Sequence, residues 1–298
     1  MRKQEDDHLH PLNRRSFLWG GTLFLAGSAL LSGQSLLAAI EEKPKLRLGL
    51  VTDLHHADKE ASDSRYYRET LTKFAEVAKR FDQEKPDIII CLGDSIDSAA
   101  SLETEKGYLR RITKELSRLP GQHHFVLGNH CVENLTKPEF LGIVGQERSY
   151  YSFDAAGYHF VILDACFTSD EKPYGRKNFK WADAKITSAE LEWLQADIHQ
   201  SSHKSIVCIH QCLDLIPPFG VKNGHEVRKV LQESGKVLTV LQGHYHWGNY
   251  QEVGGLHYCT MSAVVEGSGP ENNSYAMLDI LPGDAIRITG FRKQKSYG

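Results

Sequence analysis

Six short apolar runs alternate with polar and amphipathic stretches after residue 45. The runs are rich in β-branched residues and almost continuous in hydrophobicity, which is typical of strands buried on both faces. They predict strands at residues 46–51, 88–92, 124–128, 158–163, 205–209 and 237–242.

The stretches between these runs carry apolar residues at helical spacing. Residues 65–81 and 104–119 each present one apolar stripe, which predicts two amphipathic helices. The sequence T-S-A-E at 187–190 matches a capping box and predicts the start of a third helix, and residues 223–234 predict a fourth. After residue 250 the pattern becomes β-rich, with a hairpin predicted at 282–284. The alternation predicts an α/β fold, a two-sheet β-sandwich flanked by helices.

The first forty residues have a different pattern. Residues 13–18 read N-R-R-S-F-L, and an uncharged, mostly apolar stretch with several small residues runs from Ser16 to Ile40. A basic flank followed by such a stretch indicates an export signal, and the pair Arg14-Arg15 before S-F-L resembles the bacterial twin-arginine signal. We therefore expect the twin-arginine export machinery as a partner and a periplasmic or other extracytoplasmic location. The alternative is an uncleaved membrane anchor, because the stretch is long enough to span a bilayer.

We expect residues 41–298 to form a single domain. The composition of the chain limits the classes of protein to which this domain can belong. Hydrophobic residues make up 41%, charged residues 24%, and the formal net charge is −3. This near balance argues against nucleic-acid binding, which usually requires a basic excess. The six cysteines include no C-x-x-C pair, and four lie inside apolar runs. They are expected to be small buried side chains rather than a disulfide framework or a thiolate zinc site.

Residues that can bind metals follow five of the six predicted strands. Because the carboxyl ends of strands meet at one edge of an α/β sheet, we expect these side chains to lie together. Two aspartates, an asparagine and four histidines can hold two first-row metals about 3.5–4 Å apart, with one carboxylate bridging them. Mixed nitrogen and oxygen donors favour manganese, iron or zinc. In chain order the residues after the strands are Asp53 and His55, Asp94 and Asp97, Asn129 and His130, His210, and His244 and His246, and Asp97 and His130 are not counted among the seven ligands.

Each of these residues has an ordinary structural alternative. A single aspartate after a strand is usually a turn or cap, and Gly-Asp and Gly-Asn are common turn dipeptides. Five such motifs in order, each directly after a strand-like run, favour a metal site over coincidence.

The motifs resemble those of the calcineurin-like metallophosphoesterases. That family carries D-x-H, G-D-x-x-D, G-N-H-[DE], a lone histidine and G-H-x-H. Here the same pattern covers residues 46 to about 290 and reads Asp53-Leu-His55, Gly93-Asp94-Ser-Ile-Asp97, Gly128-Asn129-His130-Cys131, His210 and Gly243-His244-Tyr-His246.

The resemblance implies a role for each matching residue. One metal would be held by Asp53, His55, Asp94 and His246, and the other by Asp94, Asn129, His210 and His244, with Asp94 as the bridge. Metal-bound hydroxide would attack phosphorus in line. His130 would contact the phosphate and donate a proton to the leaving group. Asp97 would act as a turn residue or as a hydrogen-bond acceptor supporting a ligand.

One branch of the family resembles this chain further. H-H-A-D at 55–58, R-Y-Y-R at 65–68 and S-A-V-V-E-G at 262–267 are similar to the manganese-dependent ADP-ribose/CDP-alcohol diphosphatases, although that branch typically has glutamine in place of His55. This similarity implies a phosphorylated small-molecule substrate such as a nucleoside diphosphate derivative. Candidate substrate-binding residues besides Asn129 and His130 are His56, Arg65, Tyr67 and Arg68. Equally, Tyr67 could be a core residue and the arginines solvated.

The resulting hypothesis is a dinuclear metal-dependent phosphohydrolase that cleaves a phosphodiester or pyrophosphate bond. The alternatives are a phosphomonoesterase using the same site and a non-catalytic metal-binding scaffold.

Cys131 departs from the family pattern, which has aspartate or glutamate at this position. Such a carboxylate is expected to orient the neighbouring imidazole, whereas a thiol is a weak hydrogen-bond partner. The sequence therefore predicts that His130 is held less firmly, and that a Cys131 thiolate beside two cations would be prone to oxidation.

Overall fold

The computed structural model describes residues 43–178 and 180–298. Their strands form two sheets, and the predicted export signal lies outside the described residues. Within the described part of the chain, no helix combines the length and the apolar character needed to cross a membrane.

The first sheet has five strands in the order β11-β10-β1-β2-β3. Strand β1 pairs in parallel with β2 and antiparallel with β10, so the sheet is mixed. The predicted hairpin at 282–284 joins the antiparallel pair β10 and β11. The strands are β1 (Leu46–Val51), β2 (Ile88–Cys91), β3 (Gln122–Phe125), β10 (Ser274–Ile280) and β11 (Ile286–Arg292).

The second sheet has six strands in the order β4-β5-β6-β7-β9-β8. Its four central strands run parallel, and the two edge strands β4 and β8 pair antiparallel. The strands are β4 (Tyr151–Ala155), β5 (Tyr158–Ile162), β6 (Lys204–Cys208), β7 (Val237–Gln242), β8 (Asn249–Val253) and β9 (Leu256–Thr260).

Five α-helices lie in the described residues: α1 (Thr70–Glu84), α2 (Leu102–Leu116), α3 (Lys137–Val144), α4 (Ser188–Gln200) and α5 (Gly224–Ser234). Four of them match the predicted helices, and α3 was not predicted. Only one of the two hydrogen bonds of the predicted capping box at 187–190 forms. The Thr187 side chain accepts a hydrogen bond from the Glu190 amide, but the Glu190 carboxylate accepts one from the Asp164 amide instead.

The core consists of three apolar layers. One layer joins the facing sides of the two sheets, including Leu48 and Ile90 from the first and Phe160 and Cys208 from the second. The second layer packs α1, α2 and α3 against the outer face of the first sheet, and the third packs α4 and α5 against the outer face of the second. The predicted sandwich flanked by helices is therefore confirmed. All six cysteines are free and buried, as expected from their apolar surroundings.

Candidate metal centre

The candidate ligands lie in the loops after β1, β2, β3, β6 and β7. All seven are at most 9% exposed, although side chains of these types are rarely buried without partners. The backbone at four of them is left-handed: φ is 51° at Asp53, 42° at His55, 45° at Asp94 and 67° at His244. This conformation is costly for residues other than glycine and is concentrated at functional sites.

The first donor set consists of Asp53, His55 and His246, whose ligand atoms lie within 4.8 Å of one another. The His246 Nε2 is 3.3 Å from Asp53 Oδ1, and the His55 Nε2 is 3.6 Å from the same oxygen. One carboxylate oxygen therefore faces two imidazole nitrogens across a gap that a metal ion can fill.

The second donor set consists of Asp94, His210 and His244, again within 4.8 Å. The Asp94 Oδ2 is 3.1 Å from His210 Nε2 in this set and 3.6 Å from His55 Nε2 in the first. Asp94 thus lies between the two sets, which is the position that a bridging carboxylate requires.

Three of the four histidines are oriented through their Nδ1 atoms. His55 Nδ1 lies 3.0 Å from Asp97 Oδ2, His246 Nδ1 lies 2.5 Å from Glu266 Oε1, and His210 Nδ1 donates to the Leu92 carbonyl at 2.7 Å. Such an acceptor keeps the proton on Nδ1 and leaves the Nε2 lone pair for a metal. The Nε2 atoms of His55 and His246 are 3.3 Å apart.

The site contains buried polar atoms that a metal would satisfy. Among the described residues, no hydrogen-bond partner is found for Asp53 Oδ1, both polar atoms of the Asn129 side chain, His210 Nε2 and His244 Nε2. Buried polar atoms are normally paired, so a converging group of unpaired ligand atoms fits a pair of metal ions.

The electrostatics of the site also favour cations. Burial opposes the ionisation of Asp53, but the surrounding imidazoles outweigh it and hold the pKa of its carboxyl well below its usual range. Burial likewise opposes protonation of His210 and His246, yet the adjacent carboxylates raise the pKa of each to about 9. The carboxylates therefore stabilise positive charge at the place where the metals would bind.

Two glycines permit the close packing of these loops. Gly93 has φ of 106°, and a Cβ at this position would collide with the His210 ring. At Gly128 a Cβ would collide with the Asp94 carboxylate and amide. These positions therefore need glycine, one for its backbone conformation and both for close approach.

His130 is held by carboxylates rather than by Cys131. Its Nδ1 lies 3.4 Å from Glu133 Oε2 and 3.5 Å from Asp97 Oδ2, and its amide donates to Asp94 Oδ1 at 2.8 Å. Burial opposes its protonation, but Asp94, Glu133 and Asp97 outweigh burial and raise the pKa of His130.

The Cys131 thiol contacts the loop after β2 instead of His130. Its Sγ accepts a hydrogen bond from the Ser95 amide at 3.4 Å, so it joins the loop after β2 to the loop after β3. It is fully buried, and burial raises the pKa of this thiol. The sequence predicted a weakly held imidazole at His130. In the structure this imidazole is flanked by two carboxylates, while the thiol is buried against the Ser95 amide.

The remaining predicted substrate-binding residues separate into two groups. Arg65 lies near the centre: its backbone pairs with Glu266, and its charge acts on both His130 and His246. Tyr67 is 7% exposed and packs in a small apolar cluster, which agrees with the alternative that it is a core residue.

The other two lie in different surroundings. Arg68 is half exposed and bound by Asp58 and Glu60, as expected of a solvated arginine. His56 packs edge-on against Tyr108 with ring centroids 5.3 Å apart, and burial lowers its pKa to about 4.

No local sequence pattern indicates the roles of Glu266, which orients His246, and of Lys73, which fixes the segment carrying Glu266. Lys73 is 1% exposed, and its ammonium donates to the carbonyls of Val264, Glu266 and Gly267 at 2.9, 2.8 and 2.5 Å. The sequence of the helix does not predict these hydrogen bonds, because the partners of Lys73 lie almost two hundred residues later in the chain.

An aromatic strip extends outward from the second donor set. Trp181 and Phe219 each have ring centroids 6.1 Å from the His244 ring, and they are 5.5 Å from one another. Phe219 continues to Tyr245 at 5.0 Å, and Tyr245 to Trp247 at 5.3 Å. Trp181 and Trp247 are 44% and 66% exposed, so apolar ring surface lies open beside the candidate metal site.

A two-sheet sandwich with two adjacent donor sets at one edge, and a carboxylate lying between them, is typical of metal-dependent phosphohydrolases. The calcineurin-like phosphoesterase family matches residues 46–248, and the chain belongs to this family. The predicted family, fold and hydrolase class are therefore confirmed.

Two kinds of relatives extend this comparison. The chain is 25% identical to a manganese-dependent ADP-ribose/CDP-alcohol diphosphatase of Xenopus laevis, over 83% of this chain and 89% of the relative. It is 22% identical to an Arabidopsis thaliana protein of the same name, over 87% and 98%. Among solved structures, a dimetal phosphatase from Danio rerio has a TM-score of 0.75 at 20% identity, covering 86% of this chain and 98% of that one. These relatives agree with the predicted metal requirement, and the solved structure supports the fold.

Proposed function

We propose that this chain is a dinuclear, manganese-dependent hydrolase that cleaves the diphosphate bond of nucleoside diphosphate derivatives. The observation that carries the proposal is the pair of adjacent donor sets with Asp94 between them, since each set offers buried ligand atoms without a hydrogen-bond partner among the described residues. The named activity of the similar diphosphatases supports both the metal and the substrate class.

The bound metals would activate water for in-line attack and neutralise charge on the phosphoryl oxygens. The chain's own residues complete the reaction. His130, supported by Glu133 and Asp97, is placed to donate a proton to the leaving group. Arg65, beside His130 and His246, is placed to bind a second phosphate, because guanidinium groups bind phosphate oxygens well.

The aromatic strip supports a nucleoside as one end of the substrate. Trp181 and Phe219 lie against the His244 ring, and aromatic side chains bind flat, partly apolar rings by stacking. A nucleobase has such a ring, whereas inorganic and simple alkyl phosphates do not.

A substrate panel tests this proposal. Metal-free protein prepared with a chelator is expected to be inactive, and manganese is expected to restore hydrolysis of ADP-ribose and CDP-choline with release of the nucleoside monophosphate. Aryl phosphate and bis-aryl phosphate, each tested with manganese, iron and zinc, serve as comparison substrates. Preferred hydrolysis of the aryl monophosphate would identify a phosphomonoesterase instead, and full activity without metal would contradict the metal mechanism.

We also propose that the protein is exported through the twin-arginine pathway, because Arg14 and Arg15 precede S-F-L and a long uncharged stretch. Changing both arginines to lysine is expected to retain the protein in the cytoplasm of a bacterium that has this pathway, since the paired arginines are the recognised feature. Cell fractionation provides the measurement, and Arg2→Lys is the matched control. Normal export of the double variant would contradict the proposal.

A further inference from the structure

A pocket of about 300 Å³ opens beside the first donor set. The ligand His246 forms part of its wall, and it is separate from the ring surface of Trp181 and Phe219 next to the second set. Its lining also includes Trp247, Ser262, Glu266, Asn272 and Lys293.

The walls of this pocket combine one ring with several hydrogen-bonding groups. Trp247 is 66% exposed and presents an apolar face, while Ser262 and Asn272 supply a hydroxyl and an amide. A small number of polar groups set into an apolar wall is the usual composition of a small-molecule site. A sugar ring fits this combination, because its C–H face is apolar and its hydroxyls donate and accept hydrogen bonds.

The charged residues of the pocket distinguish uncharged substrate groups from cationic ones. The Glu266 carboxylate is engaged by His246 at 2.5 Å, and the Arg65 charge acts on it as well. Among the residues that the structure describes, none pairs with the Lys293 ammonium, so its charge remains available in the pocket. A quaternary ammonium group is attracted to an aromatic face, but an adjacent unpaired lysine repels it.

We propose that this pocket binds the hydroxylated, uncharged end of the substrate, a sugar ring joined to the diphosphate, and that Lys293 selects against cationic alcohols such as choline. This inference rests on the proposed diphosphatase function and assigns the two ends of its substrate. The nucleobase lies on Trp181 and Phe219 beside His244, and the sugar lies against Trp247 in the pocket beside His246.

The test compares kcat/KM for ADP-ribose and CDP-choline in the manganese-loaded full-length enzyme. The wild type is expected to prefer ADP-ribose. Lys293→Glu reverses the local charge and is expected to shift the ratio toward CDP-choline by about thirtyfold, mainly through KM. Two unit charges 4 Å apart in water interact by about 1 kcal/mol, the reversal counts this interaction twice, and each 1.36 kcal/mol corresponds to about a factor of ten. Lys295 is nearby, exposed and outside the pocket, so Lys295→Glu is the matched control with an expected unchanged ratio.

A second variant tests which end of the substrate occupies the pocket. Trp247→Ala is expected to weaken product inhibition by ribose 5-phosphate and to leave inhibition by AMP nearly unchanged. The opposite result would place the nucleotide in the pocket and overturn the assignment, as would an unchanged substrate ratio in Lys293→Glu. If wild-type enzyme hydrolyses neither diphosphate, the proposed function itself fails. If it hydrolyses both but the variants behave like wild type, only the pocket assignment fails.

Discussion

Replacing Asp94 with alanine is expected to remove both metal ions and to lower kcat/KM by about a thousandfold or more. Metal ions supply several kcal/mol of transition-state stabilisation, and each 1.36 kcal/mol corresponds to about a factor of ten in rate. Asp94 is the residue whose loss affects both sets, since Oδ2 lies 3.1 Å from His210 Nε2 and 3.6 Å from His55 Nε2.

The same substitution affects His130, the proposed proton donor. Asp94 Oδ1 accepts from the His130 amide at 2.8 Å, so alanine also removes a contact that positions the loop after β3. Asp94→Asn keeps the shape of the side chain while removing its charge, and it separates metal loss from loss of packing. Metal content per chain, measured by elemental analysis alongside turnover, is the decisive measurement.

Asp279→Asn is the matched control for this experiment. Asp279 is also buried, lies on β10 of the same sheet, and pairs with Arg47 and Arg287. Its replacement is expected to lower thermal stability without changing the number of bound metals. An Asp94→Ala protein that retains two metals and normal turnover would refute the shared-carboxylate site.

The clustering of the candidate ligands was predictable from sequence because each group directly follows a short apolar strand. Parallel strands in one sheet bring their carboxyl ends to the same edge, so local pattern was sufficient to place Asp53 and Asp94 together. The same reasoning applies in the second sheet to His210 and His244, which follow the parallel strands β6 and β7.

The groups that orient those ligands were less predictable. Glu266 reaches His246 from a loop twenty residues later, and Lys73 holds that loop from helix α1. Neither residue lies in a sequence pattern that predicts its contact, because the packing of distant segments determines its hydrogen-bond partner. Helix α3 was missed for a related reason: it is short, spanning Lys137–Val144, and too few turns are present to establish helical periodicity.

Cys131 shows how a single substitution within a motif can mislead. The family pattern places a carboxylate after the histidine, and its absence predicted weak support for His130. The structure supplies carboxylates from Asp97, before it in sequence, and from Glu133, three residues after it. The role of a motif position can therefore be taken by a neighbour that comes within reach only in the folded loop.

Replacing His130 with asparagine is expected to lower turnover by about 10²–10⁴-fold for substrates with poor leaving groups, the usual contribution of a positioned general acid. The loss is expected to be much smaller for a nitrophenyl leaving group, because that group departs without needing a proton. The measurement is the dependence of kcat on leaving-group pKa across a series of aryl phosphodiesters, which should be steeper in the variant.

Two neighbouring substitutions make the His130 result specific. Cys131→Ser changes the adjacent buried thiol, which contacts the Ser95 amide, and is expected to leave the leaving-group dependence unchanged. Glu133→Gln removes the carboxylate charge 3.4 Å from His130 Nδ1 and is expected to give an intermediate slope, because Asp97 still lies 3.5 Å from the same nitrogen. An equal loss for good and poor leaving groups in the His130 variant would mean that His130 binds phosphate without transferring a proton. A steeper slope in Cys131→Ser, together with an unchanged slope in Glu133→Gln, would show that the thiol supports His130 and that the Glu133 carboxylate does not.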